Sequence, residues 1–62
     1  MVHRIAFLDG ERELTAFDWE FGLAAAIEYS PQFLANFGAT SEHIWDDKGV
    51  EVWSLSVPDE PH

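Results

Sequence analysis

The chain has no cysteine, only three Lys and Arg against twelve Asp and Glu, and no apolar run long enough to span a membrane. Each shortage excludes something. Without cysteine, no disulfide staples the fold, no zinc–cysteine cluster organises it, and nothing argues for an oxidising compartment. The longest mostly apolar run, Phe21 to Ile27, is far short of the roughly 20 residues that a bilayer-crossing helix needs, and no signal segment stands out. The expected location is therefore the cytoplasm. A length of 62 residues allows one domain, residues 1–62. A chain of that size buries only about 60% of its unfolded surface, so its stability is expected to be modest.

Apolar material is plentiful. The sequence is 47% hydrophobic and 15% aromatic, with Phe7, Phe17, Trp19, Phe21, Tyr29, Phe33, Phe37, Trp45 and Trp53 spread along it. An acidic disordered segment lacks such residues, so this chain is expected to fold. The charge is the outlier: the formal net charge is −9, and beyond Arg4, Arg12 and Lys48 the carboxylates have no cationic partner in the chain. Small domains usually mix both signs and carry a net charge of magnitude about 2–8. Self-repulsion opposes a compact state, so the negative field either serves solubility alone or acts on something basic.

Local signals outline an α+β domain. Val2 to Leu8 reads as a strand, and Asp9-Gly10 as a hairpin turn returning through a short, charged second strand, Glu11 to Leu14. Thr15 to Asp18 reads as a capping box with Asp in the Glu position, opening a helix from about Ala16 to Tyr29. Its buried stripe would be Ala16, Trp19, Leu23, Ala26 and Ile27, with Gly22 inside it at a cost of roughly 1 kcal/mol against Ala. Ser30-Pro31 reads as an N-cap and first helical residue of a short second helix over Pro31 to Phe37, stopped by Gly38. After a loop from Ala39 to Ser41, His43 to Trp45 and Val50 to Val57 read as two strands joined by Asp46-Asp47-Lys48-Gly49. Residues 58–62 read as a frayed acidic tail. The expected architecture is a small antiparallel sheet made of two hairpins, packed on one face by a central helix and a short second one.

Several residues are candidates for contact with a partner. Glu11 and Glu13, on one face of a strand, would stand about 6.6 Å apart, similar to successive phosphates of a nucleic-acid strand. Asp46 and Asp47 crowd a turn tip, Glu51 follows on the same hairpin, and Glu20 and Glu28 lie off the helix's apolar stripe. Asp18 has a local role as capping partner at a helix N-terminus. The whole acidic set, Glu42 included, is read as surface, either a phosphate-like array presented to a basic groove or a solvated face tuned for solubility. Tyr29 and Trp45 are candidate interface anchors, since tyrosine and tryptophan are enriched at binding hot spots, whereas Trp53 is read as core. His43 with Asp46 and Asp47 lacks the spacing of a calcium loop, and Lys48 in their midst repels a cation, so no metal site is expected. No nucleophile, base and orienting group are spaced for catalysis, and a chain this short seldom encloses a pocket, so neither enzyme activity nor a cofactor is expected.

In size, acidity, absence of cysteine and α+β reading, the chain resembles the small acidic anti-CRISPR proteins of phages, a likeness of overall character that rests on no motif. Several of those resemble DNA in charge and occupy the site where a CRISPR effector holds its target. The resemblance implies a non-enzymatic inhibitor in the host-cell cytoplasm that covers a basic nucleic-acid-binding site without binding nucleic acid or membrane itself. The same residues fit an antitoxin or immunity protein against a basic nuclease. They also fit a small homo-oligomeric structural or regulatory subunit that pairs through an exposed strand edge, so both monomer and homodimer are open.

Overall fold

Three alternating side chains, His3, Ile5 and Phe7, set one face of the first strand, and all three are buried. The computed structural model describes residues 2–57. In it β1 (His3–Asp9) pairs with β2 (Arg12–Trp19), and Asp9 stands opposite Arg12. The hairpin expected at Asp9-Gly10 is present, shifted by one residue: Asp9 is the last paired residue and Gly10-Glu11 is the turn. Gly10 has a positive φ of 64° and, among the described residues, no non-glycine residue does, the sign pattern of a type II′ turn, which suits the twist of adjoining strands. Phe7 faces Thr15 but Leu8 faces Glu13, so Leu14 is an extra residue in a bulge.

The capping box expected at Thr15–Asp18 does not form, and no helix starts at Ala16. β2 continues to Trp19 instead. Thr15, Phe17 and Trp19 alternate, and Phe17 and Trp19 pair with Ile5 and His3. A second strand ending at Leu14 would leave most of one edge of β1 without backbone partners, a larger loss than any capping contact recovers. Ala16 and Trp19 therefore belong to the sheet rather than to a helix stripe. Gly22, expected inside the helix, is its N-cap, with φ 90° and ψ 156°, a conformation that costs other residues dearly. The Trp19 indole N–H donates to the Gly22 carbonyl at 2.9 Å and ties the strand end to the turn.

The helical segment is α1 (Leu23–Tyr29), a 3₁₀ turn at Ser30–Gln32 and α2 (Phe33–Phe37). Ser30 does not cap a new helix. Its hydroxyl donates back to the Ala26 carbonyl within α1, and Pro31 enters the 3₁₀ turn, so the segment changes pitch and continues. Gly38, in the left-handed region, ends α2 as expected. β3 (Ser41–Trp45) begins two residues earlier than expected, and β4 (Glu51–Ser56) follows the turn at 46–50.

The sheet order is β2-β1-β3-β4, with every pairing antiparallel. The helical segment connects edge strand β2 to inner strand β3 and so crosses β1. Ile5, Phe7, Ala26, Leu34 and Ile44 form the core, bordered by Phe17, Trp19, Leu23, Ile27, Trp53 and Leu55. Both helices contribute to this one cluster, which makes a two-layer α+β fold and leaves the other sheet face without a helix. Burying a Phe or Ile side chain contributes about 1.5–3 kcal/mol, so these few residues supply most of the stability. The acidic tail expected at 58–62 lies outside the described residues.

Candidate functional site

Strand direction decides where the carboxylates go. β1 and β3 are antiparallel, with Arg4 opposite Trp45 and Leu8 opposite Ser41. The turn at Gly10-Glu11 and the turn at 46–50 therefore lie at opposite ends of the sheet. The seven residues of β1 between them span about 20 Å at roughly 3.3 Å each.

One end carries Asp9, Glu11 and Glu13, all exposed, with Arg12 among them. Glu11 sits in the turn and Glu13 in β2, opposite Leu8. The expected pair on one strand face does not exist, because the turn begins one residue later than Asp9-Gly10 suggested.

The other end gathers Asp18, Asp46, Asp47 and the exposed Glu20, with Arg4 and Lys48 nearby. Arg4 and Asp18, neighbours across β1 and β2, approach to 3.8 Å on the surface. Such an exposed pair contributes little. Val2, Arg4, Asp18, Trp45, Asp46 and Asp47 line a shallow cleft of about 370 Å³. Asp46 is already engaged: its Oδ1 accepts hydrogen bonds from the N–H groups of Lys48 and Val50, each at 2.9 Å. The Val50 N–H chiefly holds this carboxyl below the usual aspartate range. Slight desolvation opposes that shift, while the Lys48 N–H and the charges of Lys48 and His3 add to it. Asp46 thus organises the turn, and Asp47 beside it is the freer group.

The Glu51 carboxylate accepts a hydrogen bond from His43 Nδ1 at 2.5 Å, and the His43 ring stacks on Trp45 at 5.8 Å and 27°. Trp45 is half-buried on the helix-free side, whereas Trp53, opposite Ile44, borders the core as expected. Glu28 and Tyr29 sit apart from both acidic ends, exposed on α1. Of the candidate residues, the fold brings together Glu11 with Glu13, and Asp46 and Asp47 with Trp45, while Glu20 lies at the same end of the sheet, two strands away. It does not bring these two groups to one spot.

Glu42, read from the sequence as one of the solvated carboxylates, is fully buried. It stands opposite Phe7 on β1 and Leu55 on β4, on the face covered by the helices. Neither carboxyl oxygen has a hydrogen-bond partner, because the adjacent Ser30 hydroxyl donates to Ala26 instead. Desolvation by burial raises the Glu42 pKa, and the nearby His43 pulls it back in part. The signal was the alternation Glu42–Ile44, which becomes visible once β3 is begun at Ser41 rather than His43.

Among the described residues no group of three His, Asp or Glu side chains is placed to hold a metal ion, and no helix is long and apolar enough to cross a membrane. No protein-family model, curated protein or solved structure matches this chain.

Proposed function

We propose that this protein is a non-catalytic binding protein that occupies a basic, nucleic-acid-binding surface of another protein. One observation carries this reading. Among the described residues, eight exposed carboxylates, Asp9, Glu11, Glu13, Asp18, Glu20, Glu28, Asp47 and Glu51, face three cations, and all but Glu28 belong to the sheet, its turns or the residue after β2. The two acidic ends, about 20 Å apart, match the reach of about six nucleotide steps at 3.4 Å each. Because phosphate contacts dominate nucleic-acid affinity, an array of this kind competes without imitating any base. Long-range attraction would also speed its association with a basic groove. The likeness to anti-CRISPR proteins directs the search toward nucleic-acid-guided effectors of the host cytoplasm as targets.

The test is competition. An effector saturated with this protein should lose its nucleic acid, and the inhibitor's own affinity should fall steeply with added salt. Reversal of Glu11 with Glu13, or of Glu20 with Asp47, should weaken inhibition at least tenfold. Asp46 is left intact in these variants, since its loss would disturb the turn. Simultaneous binding of protein and nucleic acid at unchanged affinity would overturn the reading.

A further inference from the structure

The helical segment differs in kind from the surface just described. Residues 23–37 contain one charged side chain, Glu28. Yet the segment exposes three aromatic residues at four-residue intervals: Tyr29 at 50%, Phe33 at 39% and Phe37 at 44%. Phe33 and Phe37 pack together at 6.1 Å, and Phe37 also reaches core residue Phe7 at 5.1 Å. Their neighbours Gln32, Ala35 and Asn36 are exposed and uncharged. With 150–250 Å² per aromatic side chain, the three together expose about 300 Å² of mostly apolar surface, the size of patch that on a small monomer is often functional.

We infer that this face is covered by a second copy of the same chain, giving a weak symmetric dimer with the acidic sheets turned outward. A basic partner is drawn to the sheet, its turns and the residue after β2, where seven of the eight exposed carboxylates among the described residues lie, and not to a nearly neutral helix. A second copy, itself at −9, is repelled least where charge is sparse, and the helical face, with Glu28 alone, is such a place. Pairing through the β2 edge would instead set Glu11, Glu13, Asp18 and Glu20 against their counterparts.

Self-complementarity is the second argument. Phe33 lies midway between Tyr29 and Phe37, so two segments packed antiparallel about a two-fold axis at Phe33 bring each Tyr29 toward the other copy's Phe37. The aromatic surface of two copies covers about 600 Å², and the flanking polar residues raise this toward the lower end of specific interfaces, around 1,200 Å². The dimer is accordingly reversible. Its consequence is bivalence: one assembly presents two acidic sheets on opposite sides.

Sedimentation equilibrium of the full chain, without any target, tests this. The mass should rise from 7.0 kDa toward twice that value over about 10–500 µM protein, the range of weak interfaces. Association should strengthen at about 0.5 M salt, as screening relieves repulsion between copies. This is the opposite salt response from target binding, so the two readings fail independently. Phe33→Glu should lower association at least tenfold. Asn36→Glu, at an exposed position outside the core, should lower it too if Phe33→Glu fails to fold. Val52→Glu on β4 should leave it unchanged. A monomer at 500 µM in high salt overturns the inference, as does a dimer lost in Val52→Glu but kept in Phe33→Glu and Asn36→Glu.

Discussion

The sheet and the helical segment divide the chemistry of this small chain between them. The sheet and its turns hold Arg4, Arg12, Lys48 and nearly every described carboxylate, while the helical segment holds one charge and three half-exposed aromatic side chains. Both layers share one core, so the difference is confined to their outward surfaces. It teaches that net charge alone is a poor description of an acidic protein. Carboxylates spread evenly over both layers would oppose self-association everywhere, whereas carboxylates gathered on one layer leave the other free to be apolar.

The comparison is sharpened most by truncating one aromatic from each environment. Phe7→Ala should cost about 3–5 kcal/mol, enough to unfold most of a domain this small. Phe33→Ala should cost about 1 kcal/mol in the monomer, since much of that ring already faces water. Chemical denaturation of both variants checks this, and equal losses would mean that the helical face is core rather than surface.

The buried carboxylate between the layers gives a smaller effect with a definite sign. Glu42→Gln keeps the shape and removes the charge, and should stabilise the protein at pH 8, because a buried amide costs less to desolvate than a buried carboxylate. In the unsubstituted protein the raised Glu42 pKa means that its contribution is fully present below the ordinary value of 4.5 and is lost as pH rises through the raised one. Asp46 acts in the other direction. Its lowered pKa gives stability that is present above the ordinary 3.8 and lost as pH falls through the lowered value. Both contributions are present together between 3.8 and 4.5, so the part of stability due to these two groups should fall on either side of that window, and Glu42→Gln should flatten the alkaline side alone. An unchanged alkaline side in that variant would show that Glu42 is not the responsible group.

The junction between sheet and helix offers the finest discrimination. Were Gly22 inside a helix, Gly22→Ala would stabilise the protein by roughly 1 kcal/mol. With φ at 90° it should instead destabilise by about 1 kcal/mol, through strain alone, because nothing lies within 4 Å of an added Cβ. A higher melting temperature for Gly22→Ala would restore the longer helix and shorten β2.

What the sequence determined by itself was local. The turn near Asp9-Gly10, the stop at Gly38 and the Asp46–Gly49 connection were legible, because a few adjacent residues set their backbone angles. So was the α+β class, which follows from the order of apolar patterns, and so was the excess of carboxylates. Tertiary structure decided the rest. Residues 15–19 fit both a capped helix start and an alternating strand, and only the open edge of β1 chose the strand. Ser30 carried an N-cap signal, but continuous packing of residues 23–37 over the sheet kept the segment going through it. Glu42 became buried only because β3 was placed between β1 and β4, and the two acidic ends were separated only because β1 and β3 run antiparallel. Backbone angles obey neighbours in sequence, whereas burial and the distance between charges obey neighbours in space.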